Sequence, residues 1–426
     1  MTVQIDIPST DETGRVFLTW VPVKATARVV NGAGGDAPVE ITLRSAGTAG
    51  GLVFDTERTD TGKGTLRLSL PGDGTPASFW IAGEFGKPSV NFGDAVVQAV
   101  DAGGNVVGSK DLMVRIRKNA VTLSNAERDR FLAALGTLNA RGQGPYNTYL
   151  QMHVAGTLAE MHGNVAFPPW HRAYVLDLER GLQDIDSTVT VPYWRFDQPA
   201  PSLFTAAFMG QPTTTGRVHF VPGHALENWR AANVNGITRT PLFNINTAPT
   251  SVISEIATIN LGDDYDPFQT DEDNGFENHP HNHAHVTFRG PIRVPSTAVQ
   301  DPMFFLLHCN VDRLWAKWQW IKHHTSFNDA GAFAPDSQDP DRIGYRLTDT
   351  MWPWNGDTED PRPSFAPGNG FTKSTLTRAP GDQPRVQDLL DYQAVAGGDH
   401  LGFGYDDVPF ELPPTVVAGG GEPPQP

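Results

Sequence analysis

Histidines stand at 279, 281, 283 and 285, inside Glu277-Asn278-His279-Pro280-His281-Asn282-His283-Ala284-His285. No other stretch restricts the fold as much. Side chains four apart share a helix face, so a helix here pairs His281 with His285 and turns His279 and His283 to another face. A converging pair can grip a metal ion only if further ligands arrive from elsewhere in the chain. Taken alone, such a pair is a weak signal and more often marks two surface histidines than two ligands.

Candidates for those further ligands lie on both sides. His308 ends Asp301-Pro302-Met303-Phe304-Phe305-Leu306-Leu307-His308. Asp301 followed by Pro302 predicts a helix start, running to about Lys322 and placing His308 two turns in. Among apolar neighbours a histidine needs a partner: a metal, or an ordinary core hydrogen bond. Asp312, one turn on, is spaced to orient a histidine through its second ring nitrogen. Upstream stand His153, His162 and His171. Pro168-Pro169 ends one helix and begins another, so His162 closes a segment from Tyr149 and His171 sits in the first turn of a helix to Gln183. Two sets of three imidazoles, with no obligatory thiolate or carboxylate, favour copper or zinc. The His-Glu-x-x-His and Cys-x-x-Cys frameworks common for zinc do not occur.

The rest of the chain sets bounds. Its 426 residues leave room for two or three domains. A net charge of −16 argues against nucleic acid and against an anionic membrane surface as partners. The single cysteine, Cys309, permits no intrachain disulfide and fits a reducing compartment. No apolar run reaches membrane-spanning length. Met1-Thr2-Val3-Gln4-Ile5-Asp6 has no basic-then-apolar leader, so a cytoplasmic location is expected.

Residues 1–118 carry seven alternating runs, at 15–20, 25–30, 39–43, 65–70, 78–82, 95–100 and 112–116, split by glycine-rich turns. This predicts an all-β sandwich, an accessory domain without histidine or cysteine. Ser124-Asn125-Ala126-Glu127 has the capping-box form and opens an amphipathic helix through Phe131, Leu132, Leu135 and Leu138. A mainly α unit is therefore expected over 119–412, with a late helix at Val386–Tyr392. From Pro413 to Pro426 the composition predicts a disordered tail.

Three motifs together resemble the tyrosinase family of type 3 (dinuclear) copper proteins. The first is His162, eight residues, then His171-Arg172 behind Pro168-Pro169-Trp170. The second is Asp301 to Asp312, followed by Arg313-Leu314-Trp315. The third is Pro280-His281-Asn282 with His285. The resemblance spans about Ser124 to Tyr405. It implies a four-helix core with long loops holding two copper ions that bind O2 between them. His153, His162 and His171 are then the ligands of copper A, and His281, His285 and His308 those of copper B. Glu277 resembles the family's water-holding glutamate and Asn282 the asparagine that helps orient that water. A carboxylate-held water can take the proton of a phenol; the alternative for Glu277 is the end of a solvated acidic run. Phe304 would stack near the copper B histidines, and Leu401-Gly402-Phe403-Gly404-Tyr405-Asp406 resembles the tyrosine-bearing close of the catalytic domain.

There are departures. Cys309 stands where many members have a second histidine. No cysteine lies near His162, so the thioether some members carry is absent. Arg289 replaces a frequent glycine and either attracts a substrate carboxylate or forms a surface ion pair. The resemblance implies a dicopper monooxygenase and oxidase that turns monophenols and o-diphenols into o-quinones with O2. Alternatives are a catechol or o-aminophenol oxidase without strong monophenol activity, or a haemocyanin-like O2 carrier. A copper-delivery partner is expected; the oligomeric state is left open. The β-domain either covers the site entrance or binds a partner.

Overall fold

The computed structural model describes residues 1–30, 37–270, 275–335, 346–360, 362–368 and 370–413. Beyond Pro413 the expected tail lies outside the described residues.

The N-terminal region is a pair of sheets. Its strands are β1 (Val3–Asp6), β2 (Val16–Leu18), β3 (Val23–Val29), β4 (Val39–Gly47), β5 (Leu52–Asp55), β6 (Thr65–Leu70), β7 (Ala77–Gly83), β8 (Ala95–Asp101) and β9 (Val106–Val114). One sheet runs β1-β3-β7-β5, the other β2-β9-β8-β4-β6. All pairings are antiparallel except β2 with β9. Alternation decides which face is buried: Ala25 and Ala27 of β3 lie opposite Phe79 and Ala77 of β7, and Leu43 of β4 lies opposite Ala99 of β8. Seven strands were expected, and each has a counterpart. The two additional ones, β1 and β5, are four residues each and form the two edges of the smaller sheet. Edge strands are often this short, and so leave little periodic signal.

The helical region begins at α1 (Asn125–Asn139). Its capping box is complete: Ser124 Oγ accepts from Glu127 N at 3.3 Å, and Glu127 Oε2 accepts from Ser124 N at 2.9 Å. Next come α2 (Tyr146–Met152), α3 (Leu158–Met161) and α4 (Phe167–Gln183). The continuous helix expected from Tyr149 to His162 is broken at His153. Thr157 Oγ1 sits 3.0 Å from both Val154 N and Met152 O, so it takes up the backbone groups that a continuing helix would have bonded. The following helix starts one turn earlier than expected. Pro168 and Pro169 occupy its first turn, where missing N–H groups cost nothing, and His171 lies in the second. Two short helices, α5 (Glu255–Ile259) and α6 (Tyr265–Thr270), precede a π-turn over Glu277–Asn282 that runs into α7 (His283–Val286). The last long helix, α8 (Met303–Lys322), is buried along most of its length and packs on α4. The late helix expected at 386–392 is a single 3-10 turn, Val386–Leu389.

A buried ionic network joins the two regions. Arg117, just past β9, donates through Nε to Glu179 of α4 at 2.8 Å and through Nη1 to Asp312 of α8 at 3.0 Å. Arg172 Nε donates to the other oxygen of Asp312 at 2.5 Å, and the Tyr405 hydroxyl donates to Asp312 at 2.6 Å. Asp312 is therefore fully engaged away from the histidines, and the expected link from it to a histidine ring is not formed. Trp20 Nε1 donates to the Tyr405 carbonyl at 2.7 Å, and Val395 and Phe410 return to pack in the sheet core. The sheet region thus seats against the C-terminal part of α4 and the middle of α8, beyond His171 and His308.

Candidate metal centre

The six histidines are delivered by helix ends, a π-turn and helices. His153 follows the last residue of α2, with φ −128° and ψ 67°. His162 ends α3 with extended backbone. His171 projects from α4, His281 from the π-turn, His285 from α7 and His308 from α8. Five are buried; His162 retains 15% of its side-chain exposure. The candidate ligand atoms of His153, His162 and His171 lie within 4.8 Å of one another, and those of His281, His285 and His308 likewise. The two triads face each other: His171 stacks on His308 with ring centroids 4.4 Å apart, and His162 lies 5.6 Å from His281.

The hydrogen bonds outside the triads decide which nitrogen faces inward. Nδ1 of His153 bonds to the Pro295 carbonyl at 3.0 Å and that of His171 to the Phe167 carbonyl at 2.9 Å. His281 uses the Glu277 carbonyl at 3.1 Å and His285 the Ile292 carbonyl at 2.6 Å. His162 Nδ1 bonds to the Glu277 carboxylate at 2.9 Å. Every one of these partners can only accept, so each Nδ1 carries the proton and each Nε2 turns a lone pair inward. The Nε2 atoms then crowd together: His153 to His162 at 3.0 Å, His308 to His285 at 3.1 Å and to His281 at 3.3 Å. His171 Nε2 is buried with no hydrogen-bond partner among the described residues. Lone pairs packed this closely repel unless a cation sits among them, and an all-imidazole set suits copper. The donor set therefore fits two metal ions.

Burial supports the neutral state that a metal requires. Burial first, and then the neighbouring imidazoles, hold His153, His171, His281 and His308 well below the usual histidine range. Burial pulls His285 down to about 4. Neutral imidazole is the ligating form. Aromatic rings wall the site. Phe304 stacks on His308 at 4.0 Å, as the sequence led one to expect. Phe167 sits 4.5 Å from His171 and 4.6 Å from His281, wedged between the triads. Sequence reasoning missed Phe167; its only signal is an aromatic one helical turn before His171.

The family description "Common central domain of tyrosinase" matches residues 143–321, a span that contains all six histidines. The tyrosinase of Streptomyces antibioticus is 32% identical over 269 residues, covering 57% of this chain and 94% of that protein. The chain belongs to the tyrosinase family. Grixazone synthase of Streptomyces griseus subsp. griseus is 28% identical over 264 residues, covering 49% of this chain and 85% of that one. A functional unit of octopus hemocyanin superposes with a TM-score of 0.46 at 21% identity, over 70% of this chain and 69% of that one.

Within this tyrosinase-family site, Glu277 does two things. Its carboxylate accepts from His162 Nδ1 and from Gly163 N at 3.0 Å, while its carbonyl anchors His281. One residue thus orients a histidine in each triad. Asn282 is half-buried and donates to Asn278 Oδ1 at 3.3 Å. Cys309 points away from the histidines, donating to the Val191 carbonyl at 3.3 Å. Arg289 is exposed and has no ion-pair partner among the described residues. A cavity of about 350 Å³ reaches His153 between Gln151, Arg230, Thr297 and Gln300. Among the described residues, none of the sheet region lines this cavity or hydrogen-bonds to the six imidazoles.

Proposed function

We propose that the chain is a dicopper monooxygenase and oxidase that uses O2 to o-hydroxylate monophenols and to oxidise o-diphenols to o-quinones. The observation that carries this is the pair of facing imidazole triads, in which outer hydrogen bonds at Nδ1 aim five of the six Nε2 lone pairs inward. In this reading His153, His162 and His171 hold copper A, and His281, His285 and His308 hold copper B. The two ions, when bound, supply O2 binding and the redox equivalents of the reaction. The chain's own residues do the rest. Outer carbonyls fix the ring orientations, Phe167 and Phe304 keep water from the inner edges, and Glu277 with Asn282 provides the polar edge where a phenol loses its proton through a held water.

A second reading has its own support. The Glu277 carboxylate is engaged by His162 and Gly163, with Gln269 Nε2 at 3.4 Å, and that leaves less of it to hold a water. This favours catechol or o-aminophenol oxidation with little monophenol hydroxylation. Loading the protein with copper and measuring O2 uptake on tyrosine, catechol and an o-aminophenol separates the two. Turnover of all classes supports the first reading, and turnover without tyrosine the second. Reversible O2 uptake without turnover would replace both with an O2 carrier.

The fine architecture belongs to the same proposal. Residues 1–118 form a β-sandwich accessory domain and 119–412 the dicopper domain, its four-helix core being α2, α4, the 277–286 segment and α8. Two separate hydrophobic clusters support that division, although Val395 and Phe410 join the N-terminal one. No described helix is long and apolar enough to cross a membrane; the lone buried thiol of Cys309 supports a reducing, cytoplasmic setting. A copper donor completes the set of partners.

A further inference from the structure

The four-histidine run divides into two pairs, and the activity proposed above uses only one. His281 and His285 point into the protein with ring centroids 4.7 Å apart. His279 and His283 turn to the opposite face, and their rings are also 4.7 Å apart, tilted by 48°. Both are half-buried and so reachable from solvent. His283 repeats the device seen in the inner triads: its Nδ1 donates to the Ser251 carbonyl at 2.7 Å, which leaves the Nε2 lone pair free. The ring nitrogens of His279 have no partner among the described residues, so nothing competes for them.

We propose that His279 and His283 form a third cation site, on the solvent side of the dicopper centre, that takes one divalent transition ion. Two imidazoles from one helical face can chelate a single ion, with water filling the remaining positions. Imidazole donors bind Cu(II) most tightly of the divalent first-row ions, so copper is the favoured occupant and Zn(II) the next. With two protein ligands in place of three and with open access, this site exchanges its ion faster than the inner ones. His279 and His283 each stand two residues from an inner ligand. An ion captured there is held beside the His281–His285 pair, and the site serves to gather copper for loading. That loading role rests on the dicopper reading; the site itself does not.

The test uses the full chain loaded with copper at its inner sites and then titrated with Cu(II) alone. The expected result is one further equivalent with the electron paramagnetic resonance spectrum of an isolated Cu(II) ion coupled to two nitrogens. The double substitution H279Q/H283Q should abolish that signal while the inner copper content and the near-ultraviolet circular dichroism are retained. A wild-type chain that takes up no further equivalent overturns the site. So does a double variant that binds it unchanged, since the ion would then be adventitious. Loss of the inner equivalents in the wild type would instead count against the dicopper reading, so the two failures are distinguishable. For the loading role, copper-free chain is given limiting Cu(II) in competition with a chelator. Recovery of the inner copper several-fold slower in H279Q/H283Q supports it, and equal rates remove it.

Discussion

The two triads are built in opposite ways. His281, His285 and His308 come from one continuous turn-and-helix and from the interior of α8. All three are buried, and the two that have outer partners use main-chain carbonyls. His153, His162 and His171 come from two helix ends and a helix, with an opening at His162. Their set includes the only side-chain anchor among the described residues, the Glu277 carboxylate, which belongs to the other triad's segment. The His281, His285 and His308 triad is therefore a rigid half-site. The His153, His162 and His171 triad is a loop-assembled one that borrows part of its order from it.

The largest test of that contrast removes a rigid ligand. His308→Ala should lose copper B and reduce catechol turnover to background, measured as copper per chain and O2 uptake. Retention of two coppers would mean that the rigid half-site does not depend on its central histidine. Next is the brace behind both triads. Arg117→Ala leaves Glu179 buried without its cationic partner and takes one of two arginines from Asp312, which keeps Arg172, and breaking a buried pair costs about 3–5 kcal/mol. The expected outcome is a clear fall in thermal midpoint with both coppers weakened, because α4 carries His171 and α8 carries His308. Loss confined to one triad would show that the two half-sites are braced separately.

Glu277→Gln addresses the borrowed order directly. Loss of an outer partner typically costs about 10–100-fold in metal affinity, and here it should fall on copper A alone. Monophenol hydroxylation should drop more than catechol oxidation if the carboxylate also serves a phenol proton. Equal losses would leave Glu277 as a positioning residue only. The smallest effect is on pH dependence without copper. Burial lowers the folded pKa of His285 to about 4, against an ordinary histidine value of about 6.5. The unfolded chain then binds more protons between those values. Stability of the copper-free chain should be full above about pH 6.5 and decline as pH falls towards 4. Thermal midpoints flat across that window would contradict the burial of neutral imidazoles.

Much of the rigid triad was legible beforehand. Spacing of four pairs His281 with His285 on any helix, and Asp301-Pro302 marks where the helix of His308 begins; in the fold Asp301 Oδ1 caps Met303 N at 3.0 Å. The loop-assembled triad was legible only through its resemblance to a family, because residue spacing does not say how loops fold back. Its expected long helix breaks at His153, where the Thr157 hydroxyl competes for backbone groups in a way that helix propensity does not anticipate. The role given to Asp312 failed for a related reason. Periodicity places it one turn from His308, but Arg117 and Arg172 arrive from distant segments and take both of its oxygens.

By itself the sequence determined the order of the regions, the alternation of seven strands, the start of α1 and which histidines could share a helix face. These depend on neighbours within a few residues, where local sterics and hydrogen bonding dominate. Tertiary structure alone decided that Pro295 and Ile292 carbonyls pin His153 and His285, that Glu277 serves both triads, and that the sheet region seats behind the metal centre and not over the cavity at His153. Any residue offers a carbonyl, so no sequence signal marks the ones that matter. Only the packing of remote segments selects them.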